Sequence, residues 1–297
     1  MTTGAGGQDK DAPLAPGLYL VATPIGNLED ITLRALRVLR QVDRIACEDT
    51  RQTQKLLNHF GIETPTVSYH MHNELGRAAE LAEQLKAGAR IAVVSDAGTP
   101  GIADPGAEIA SVAIAAGVPV FPIPGANAAV SALIASGLSA EKFTFYGFLP
   151  AKAGQRRTFL EGLRAPAGAV ETCVFYEAPH RIVEALSDVE AVFGPAQHVV
   201  VARELTKLHE EFLRGSVRDL RETLARRQSV RGEIVLLFAP SGTSEEASTI
   251  SVGDEVRALM REQGLSEMDA LKRVAKSRGM GKSEAYREMQ RERGKRG

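Results

Sequence analysis

Ile91-Ala92-Val93-Val94-Ser95 runs directly into Asp96-Ala97-Gly98-Thr99-Pro100-Gly101. A short apolar run bounded by small turn residues reads as a strand buried on both faces. The same signature repeats on either side. Leu18 to Ala22 is a strand followed by Thr23-Pro24-Ile25-Gly26-Asn27. Arg44 to Cys47 is a second, followed by Glu48-Asp49-Thr50-Arg51, and Val118 to Ile123 is another, followed by Pro124-Gly125-Ala126-Asn127. Between these runs the apolar period lengthens to that of a helix. Leu33, Leu36, Leu39 and Val42 mark one helix, and Leu56, Leu57 and Phe60, ended by Gly61, mark the next. Glu74 to Lys86 is a third, closed by Gly88. Asp104-Pro105 predicts a helix start, with Asp as cap and Pro in the first turn, running to Gly117. Ala126 to Ser136 is the last helix of this half. Repeated βα units predict an α/β fold around a mainly parallel sheet with helices on both faces.

The pattern breaks between Phe143 and Gly154, where Gly147, Pro150 and Gly154 crowd together. We place a domain boundary there, giving α/β domains over 17–147 and 148–240. The second domain is expected to carry strands at Thr172–Tyr176, His198–Ala202 and Ile234–Phe238, with helices at His180–Phe193 and Val217–Arg226. Residues 1–16 read as a disordered leader and 241–253 as a Ser/Thr/Glu-rich linker. The segment 254–297 reads as a basic helical tail, with Ser266 and Asp269 in capping-box form and a last helix near Ser283–Arg293.

Composition narrows the function. Two cysteines, Cys47 and Cys173, make neither a disulfide framework nor a metal cluster, and a cytoplasmic setting is expected. No apolar run reaches the ~20 residues of a membrane span. The net charge of −1 argues against a general nucleic-acid binder. The charge is unevenly spread, however: Ala270 to Gly297 carries ten Lys/Arg against three Glu. Contacts to RNA are expected from this tail and from patches in a cleft.

Three small-residue loops at the carboxyl ends of strands, 23–27, 95–101 and 122–127, predict a ligand site, since open α/β sheets bind ligands there and small residues let the backbone approach. None is a G-x-G-x-x-G or a phosphate-binding loop, so a dinucleotide or triphosphate has no support. Polar clusters stand beside other strand ends: His70-Met71-His72-Asn73-Glu74, Tyr176-Glu177-Ala178-Pro179-His180-Arg181 and Arg203-Glu204-Leu205-Thr206-Lys207. His70 and His72 lack a clear third ligand, so no metal site is expected.

These stretches, together with Arg231-Gly232-Glu233, resemble the ribosomal RNA methyltransferase branch of the tetrapyrrole (corrin/porphyrin) methylase superfamily, in order and spacing from Gly17 to Ala239. The resemblance implies two α/β domains with S-adenosylmethionine (SAM) in the cleft between them, and a homodimer. It implies 2′-O-methylation of a cytidine ribose in the decoding region of 16S rRNA, with the small ribosomal subunit as partner. Carried over by position, the cofactor contacts are Pro24, Asp96, Ala97, Gly98, Thr99, Asn127, Ala128, Tyr176, Leu205, Gly232 and Glu233. Asn127 departs from the superfamily, which often has a hydroxyl residue in that region.

Methyl transfer to a ribose hydroxyl needs an aligned acceptor and help in losing its proton. The candidates for catalysis are Glu48, Glu177, Glu204 and Lys207. Arg51, His180, Arg181 and Arg203 are candidates for the RNA backbone, where a guanidinium fork suits phosphate. Two other readings stand beside this one: a methylase of a small tetrapyrrole precursor, and a non-catalytic RNA-binding assembly factor.

Overall fold

A computed structural model describes residues 13–70, 74–164, 171–240 and 252–277, together with 281, 285–287 and 289. Contacts divide the chain into two units, one formed by 1–161 with 171–239 and the other by 162–170 with 240–297.

The first unit contains two sheets. The first is built from β1 (Gly17–Val21), β2 (Arg44–Cys47), β3 (Thr66–Ser68), β4 (Arg90–Val94) and β5 (Val120–Ile123), in the order β3-β2-β4-β1-β5. All four pairings are parallel, as the βα alternation predicts. The alternation of side chains sorts its core into two layers. Tyr19, Val21, Ile45, Cys47, Ala92 and Val94 pack with α1 (Leu33–Gln41) and α2 (Thr50–His59). Leu18, Ala46, Ile91 and Val93 face the other way, against α3 (Glu74–Lys86) and α4 (Ala107–Ala115). Leu14 packs on the first layer, and the Ala15 carbonyl accepts from the Tyr19 hydroxyl. The end of the expected leader is therefore held against the sheet, while residues 1–12 lie outside the described residues.

The second sheet has the order β6-β7-β10-β8-β9. Its strands are β6 (Phe143–Phe148), β7 (Thr172–Glu177), β8 (His198–Arg203), β9 (Glu211–Ser216) and β10 (Ile234–Phe238). Only β6 and β7 are parallel; the other pairings are antiparallel. The helices α5 (Ala128–Ser136), α6 (Ala153–Gly162), α7 (Ile182–Phe193) and α8 (Val217–Ala225) complete the unit. Through Ala129, Ala132 and Leu133, α5 packs on Val174, Val200, Val235 and Leu237 of this second sheet.

One expected helix start is corrected. Asp104 does not cap α4, which begins after Gly106 without a side-chain cap. The amide of Gly101 donates to the Pro105 carbonyl, closing a turn that precedes the helix.

In the second unit, α9 (Val252–Gln263) and α10 (Glu267–Ser277) bury Val256, Leu271 and Val274 with Ala285 and Met289. The Ser266 hydroxyl accepts from the Asp269 amide, the capping expected there. Residues 241–251, most of the expected linker, lie outside the described residues, as do Ser283 and most of the last expected helix.

Candidate active site

The loops after β1 and β4 are stitched to each other. Thr23 and Gly98 exchange backbone hydrogen bonds of 2.9 and 3.1 Å. The Thr23 hydroxyl donates to the Ser95 carbonyl, and the Thr99 hydroxyl donates to the Ala126 carbonyl at 3.1 Å. Asn127 spans the β5 loop and its helix: Nδ2 donates to Thr99 Oγ1, and Oδ1 accepts from Val130 N as the cap of α5. Small residues make this possible, because each loop passes close to the next.

Beside these loops lies a cavity of about 450 Å³, a size that suits a ligand of drug-like dimensions. The first sheet contributes Ile25, Glu48, Asp96–Thr99 and Ile102–Asp104. The second contributes Tyr176–Pro179, Leu205 and Gly232–Val235, with Ala128 and Phe148 completing the wall. Tyr176 is fixed by edge contacts with Phe145 and Phe148. Ile25, Ile102, Leu205, Ile234 and Val235 supply apolar wall.

The polar chemistry of the lining is one-sided. Glu48, Asp96, Asp104, Glu177 and Glu233 reach it, and among the described residues no lysine or arginine does. Burial pushes the Asp104 carboxyl up to about 6, helped by the neighbouring Glu48 and Asp96 carboxylates. Glu48 is raised by burial and then by Asp96. Glu177 is raised by burial too, although the Ala178 amide and Arg181 oppose the shift. Crowded carboxyls of this kind disfavour one another's ionisation and favour a cationic ligand.

Of the expected cofactor contacts, Asp96, Ala97, Gly98, Thr99, Ala128, Tyr176, Leu205, Gly232 and Glu233 lie on the cavity wall, as do the catalytic candidates Glu48 and Glu177. Pro24 and Asn127 stand behind the wall in the loops that shape it. Glu204 and Lys207 are engaged with each other outside the lining, at 2.9 Å, and Lys207 also reaches Glu233 at 3.0 Å. The Glu204 carboxyl is consequently held below its ordinary range, first by Lys207. Arg181 donates to the Leu149 carbonyl and pairs with buried Glu177. Arg203 pairs with Glu211 and donates to the carbonyls of Arg231 and His209. Arg51 is exposed and pairs with Asp49 at the start of α2. His180 is exposed, in the turn before α7. The sequence reading missed Asp104, whose Asp-Pro pair is also a helix-start signal, and the apolar contributors Ile102 and Phe148.

A parallel sheet with a ligand cavity at its carboxyl edge, joined to a mostly antiparallel sheet, defines the class. The sequence pattern of the Tetrapyrrole (Corrin/Porphyrin) Methylases matches residues 17–221, and the chain belongs to that family. Its methyl donor is SAM. Within the family, the chain is 48% identical over 277 residues to ribosomal RNA small subunit methyltransferase I of Halalkalibacterium halodurans, covering 91% of this chain and 93% of that one. It is 45% identical over 272 residues to the protein of the same name from Synechocystis, covering 91% and 95%. Among solved structures, uroporphyrin-III-C-methyltransferase from Thermus thermophilus aligns with a TM-score of 0.52 at 21% identity, over 75% of this chain and 94% of that one. This last likeness is one of fold.

The cavity fits the donor. SAM carries a sulfonium, an ammonium and one carboxylate, so its net charge is positive, and the lining offers five carboxyls, of which Glu177 and Glu233 are paired with Arg181 and Lys207 while Glu48, Asp96 and Asp104 have no Lys or Arg partner among the described residues. The apolar wall suits an adenine ring. Close backbone approach is available at Ala97-Gly98, and acidic side chains suit ribose hydroxyls, as in other α/β nucleotide sites.

Proposed function

We propose that this methyltransferase 2′-O-methylates the ribose of a cytidine in the decoding region of small-subunit (16S) rRNA, working as a cytoplasmic homodimer. The observation that carries the reading is the carboxyl-lined cavity at the carboxyl edge of the first sheet, whose Glu48, Asp96 and Asp104 form no ion pair with a lysine or arginine among the described residues. It suits a cationic donor. The curated relatives that match nearly the whole chain are named for small-subunit rRNA.

The bound cofactor supplies an activated methyl group. The residues of the chain hold the donor against the carboxyl cluster and the apolar wall, and they take up the acceptor's proton. A useful base has a proton affinity close to the working pH. Asp104 and Glu48 meet that condition better than Glu204, whose charge Lys207 stabilises. Glu204 and Lys207 act by holding the loop that carries Leu205 to the wall.

Dimer formation is supported by apolar side chains left in solvent on α4 and α5. Ile114 is 65% exposed and Ile134 75%. Both helices are apolar around most of their circumference, which an isolated surface helix is not. The basic tail is assigned to RNA, so truncation after Val252 weakens RNA binding more than SAM binding.

The test is methyl transfer from labelled SAM to small subunits that lack the modification, followed by nuclease mapping. Label on a ribose 2′-oxygen of a decoding-region cytidine is the expected result. SAM binding without label on subunits overturns the reading and favours a small-molecule acceptor.

A further inference from the structure

The cavity that suits a cationic donor is hostile to its polyanionic acceptor, because the lining carboxyls repel phosphate. RNA must therefore be gripped outside it. We propose that the outer face of α1 and α2 is the RNA-backbone track of this enzyme, with Arg34, Arg37 and Lys55 as its phosphate contacts. This rests on the rRNA reading above.

Three observations carry it. The first is composition. Helices α1 and α2 together hold Arg34, Arg37, Arg40, Arg51 and Lys55, and neither contains an Asp or Glu. In a chain of net charge −1 this is a local departure; α8, by contrast, interleaves both signs, and α7 carries only carboxylates.

The second is placement. Both helices lie on one face of the first sheet, since Ala35, Val38, Leu39 and Leu57 share a core layer. They are tied together, with Arg40 donating to the Phe60 carbonyl and Thr64 to the Leu39 carbonyl. The track starts at the cavity: Glu48 lines it, and the Asp49 amide, at the cap of α2, donates to Asp96 Oδ1 at 3.0 Å.

The third is availability. Arg34 and Lys55 are exposed and Arg37 is half-buried. Among the described residues no carboxylate pairs with any of the three; Lys55 only donates to Gln52. A free guanidinium is the side chain best shaped for phosphate oxygens. Surface arginines on a soluble protein more often alternate with carboxylates, which limit their use for an anionic partner.

The experiment uses the full chain and the triple variant R34Q/R37Q/K55Q. Binding to a naked decoding-region rRNA fragment and to small subunits is measured across salt concentrations, with SAM affinity and thermal stability in parallel. Each phosphate contact contributes about 0.7–0.9 to the slope of log affinity against log salt, so the triple variant is expected to lose roughly 2 units of slope. At moderate salt this weakens both RNA ligands at least about tenfold, while SAM affinity and melting temperature stay at wild-type values. Unchanged slope and affinity on both ligands overturn the track and leave the rRNA reading standing. Loss of subunit binding with naked RNA unaffected also overturns it, and assigns the face to a ribosomal protein. A wild-type chain that binds neither ligand overturns the rRNA reading itself.

Discussion

Lys207 Nζ donates to Glu204 Oε1 at 2.9 Å, and that ion pair holds shut the loop that brings Leu205 to the cavity. Glu204 and Thr206 both sit at positive φ, 53° and 65°, a backbone that needs enforcing in residues other than glycine. Burial disfavours the Lys207 charge, but its bonds to Glu204 and Glu233 outweigh this and hold the ammonium above its ordinary range. Lys207→Ala removes the clamp and leaves two carboxylates facing each other. Turnover is expected to fall about tenfold or more, equivalent to at least ~1.4 kcal/mol on the barrier, while SAM affinity changes by a few-fold at most. Steady-state kinetics with calorimetric SAM titration separates the two effects. Wild-type turnover in this variant would remove the clamp from the mechanism.

The two glycines beside this pair make a second prediction. A Cβ on Gly232 would lie 2.3 Å from Glu204 side-chain carbons, and one on Gly26 2.3 Å from Lys207 Cγ. Gly232 also has φ +90°, which alanine resists, whereas Gly26 shows no such angle. Gly232→Ala is therefore expected to weaken SAM binding and lower stability by roughly 1–2 kcal/mol. Gly26→Ala displaces only the flexible Lys207 stem and is expected to lower turnover with less loss of stability. Chemical denaturation curves rank them; equal stability losses would mean that backbone strain at 232 is not the deciding factor.

Much of this site is readable in the chain. The loops 23–27, 95–101 and 122–127 announce themselves because a buried strand cannot end in small residues without making a tight, approachable turn. The strands missed are those with weaker signals. β3 has three residues, β6 shifts register between Phe145 and Phe148, and β9 is an edge strand whose polar positions break the apolar pattern. The charged clusters are where local reading stops. Arg203 and Arg181 look free in sequence, yet both are engaged: Arg203 meets Glu211 across the β8–β9 pair, and Arg181 meets both Glu177, four residues before it, and the distant Leu149 carbonyl. Asp104 shows the reverse. Its Asp-Pro pair carries a local helix-start signal, but the chain turns once more before α4 and aims the carboxyl region at the cavity.

The position of Asp104 predicts how the donor binds with pH. With its carboxyl raised to about 6 by burial, Glu48 and Asp96, it is largely protonated at pH 5 and ionised at pH 7.5. A donor of net positive charge binds the ionised form better, so SAM affinity is expected to rise as pH increases through 6, by up to about tenfold. The stability sign is opposite. A carboxyl with a raised folded-state pKa contributes stability below its unfolded value near 4, and that contribution is lost as pH climbs through 6. Asp104→Asn should flatten the pH dependence of SAM affinity between 5 and 7.5. Calorimetric titrations at both pH values, with Glu48→Gln as comparison, provide the check. A wild-type slope retained in Asp104→Asn but lost in Glu48→Gln would transfer the effect to Glu48.

Away from the cavity, the load on the second sheet's flank falls on one buried ion pair. Arg156, on α6, is 1% exposed, and its Nε donates to Asp188 Oδ2 at 2.7 Å. Nη2 pairs with the same Asp188 oxygen at 2.7 Å, Nη1 donates to the Pro150 and Ala151 carbonyls, and Asp188 is also held by Arg157. The pair thus anchors the 149–152 segment beside Phe148 to α7. A buried pair is costly to break from one side, because the surviving charge keeps its desolvation cost without its partner. Asp188→Ala is expected to lower stability by about 3–5 kcal/mol, a fall of roughly 10 °C in melting temperature. Arg156→Met/Asp188→Leu removes both charges and restores packing, so it should recover most of that loss. Calorimetry on the single and double variants decides it. If the double variant is as unstable as the single one, the pair's value lies in its hydrogen bonds to the 150–151 backbone rather than in charge neutralisation.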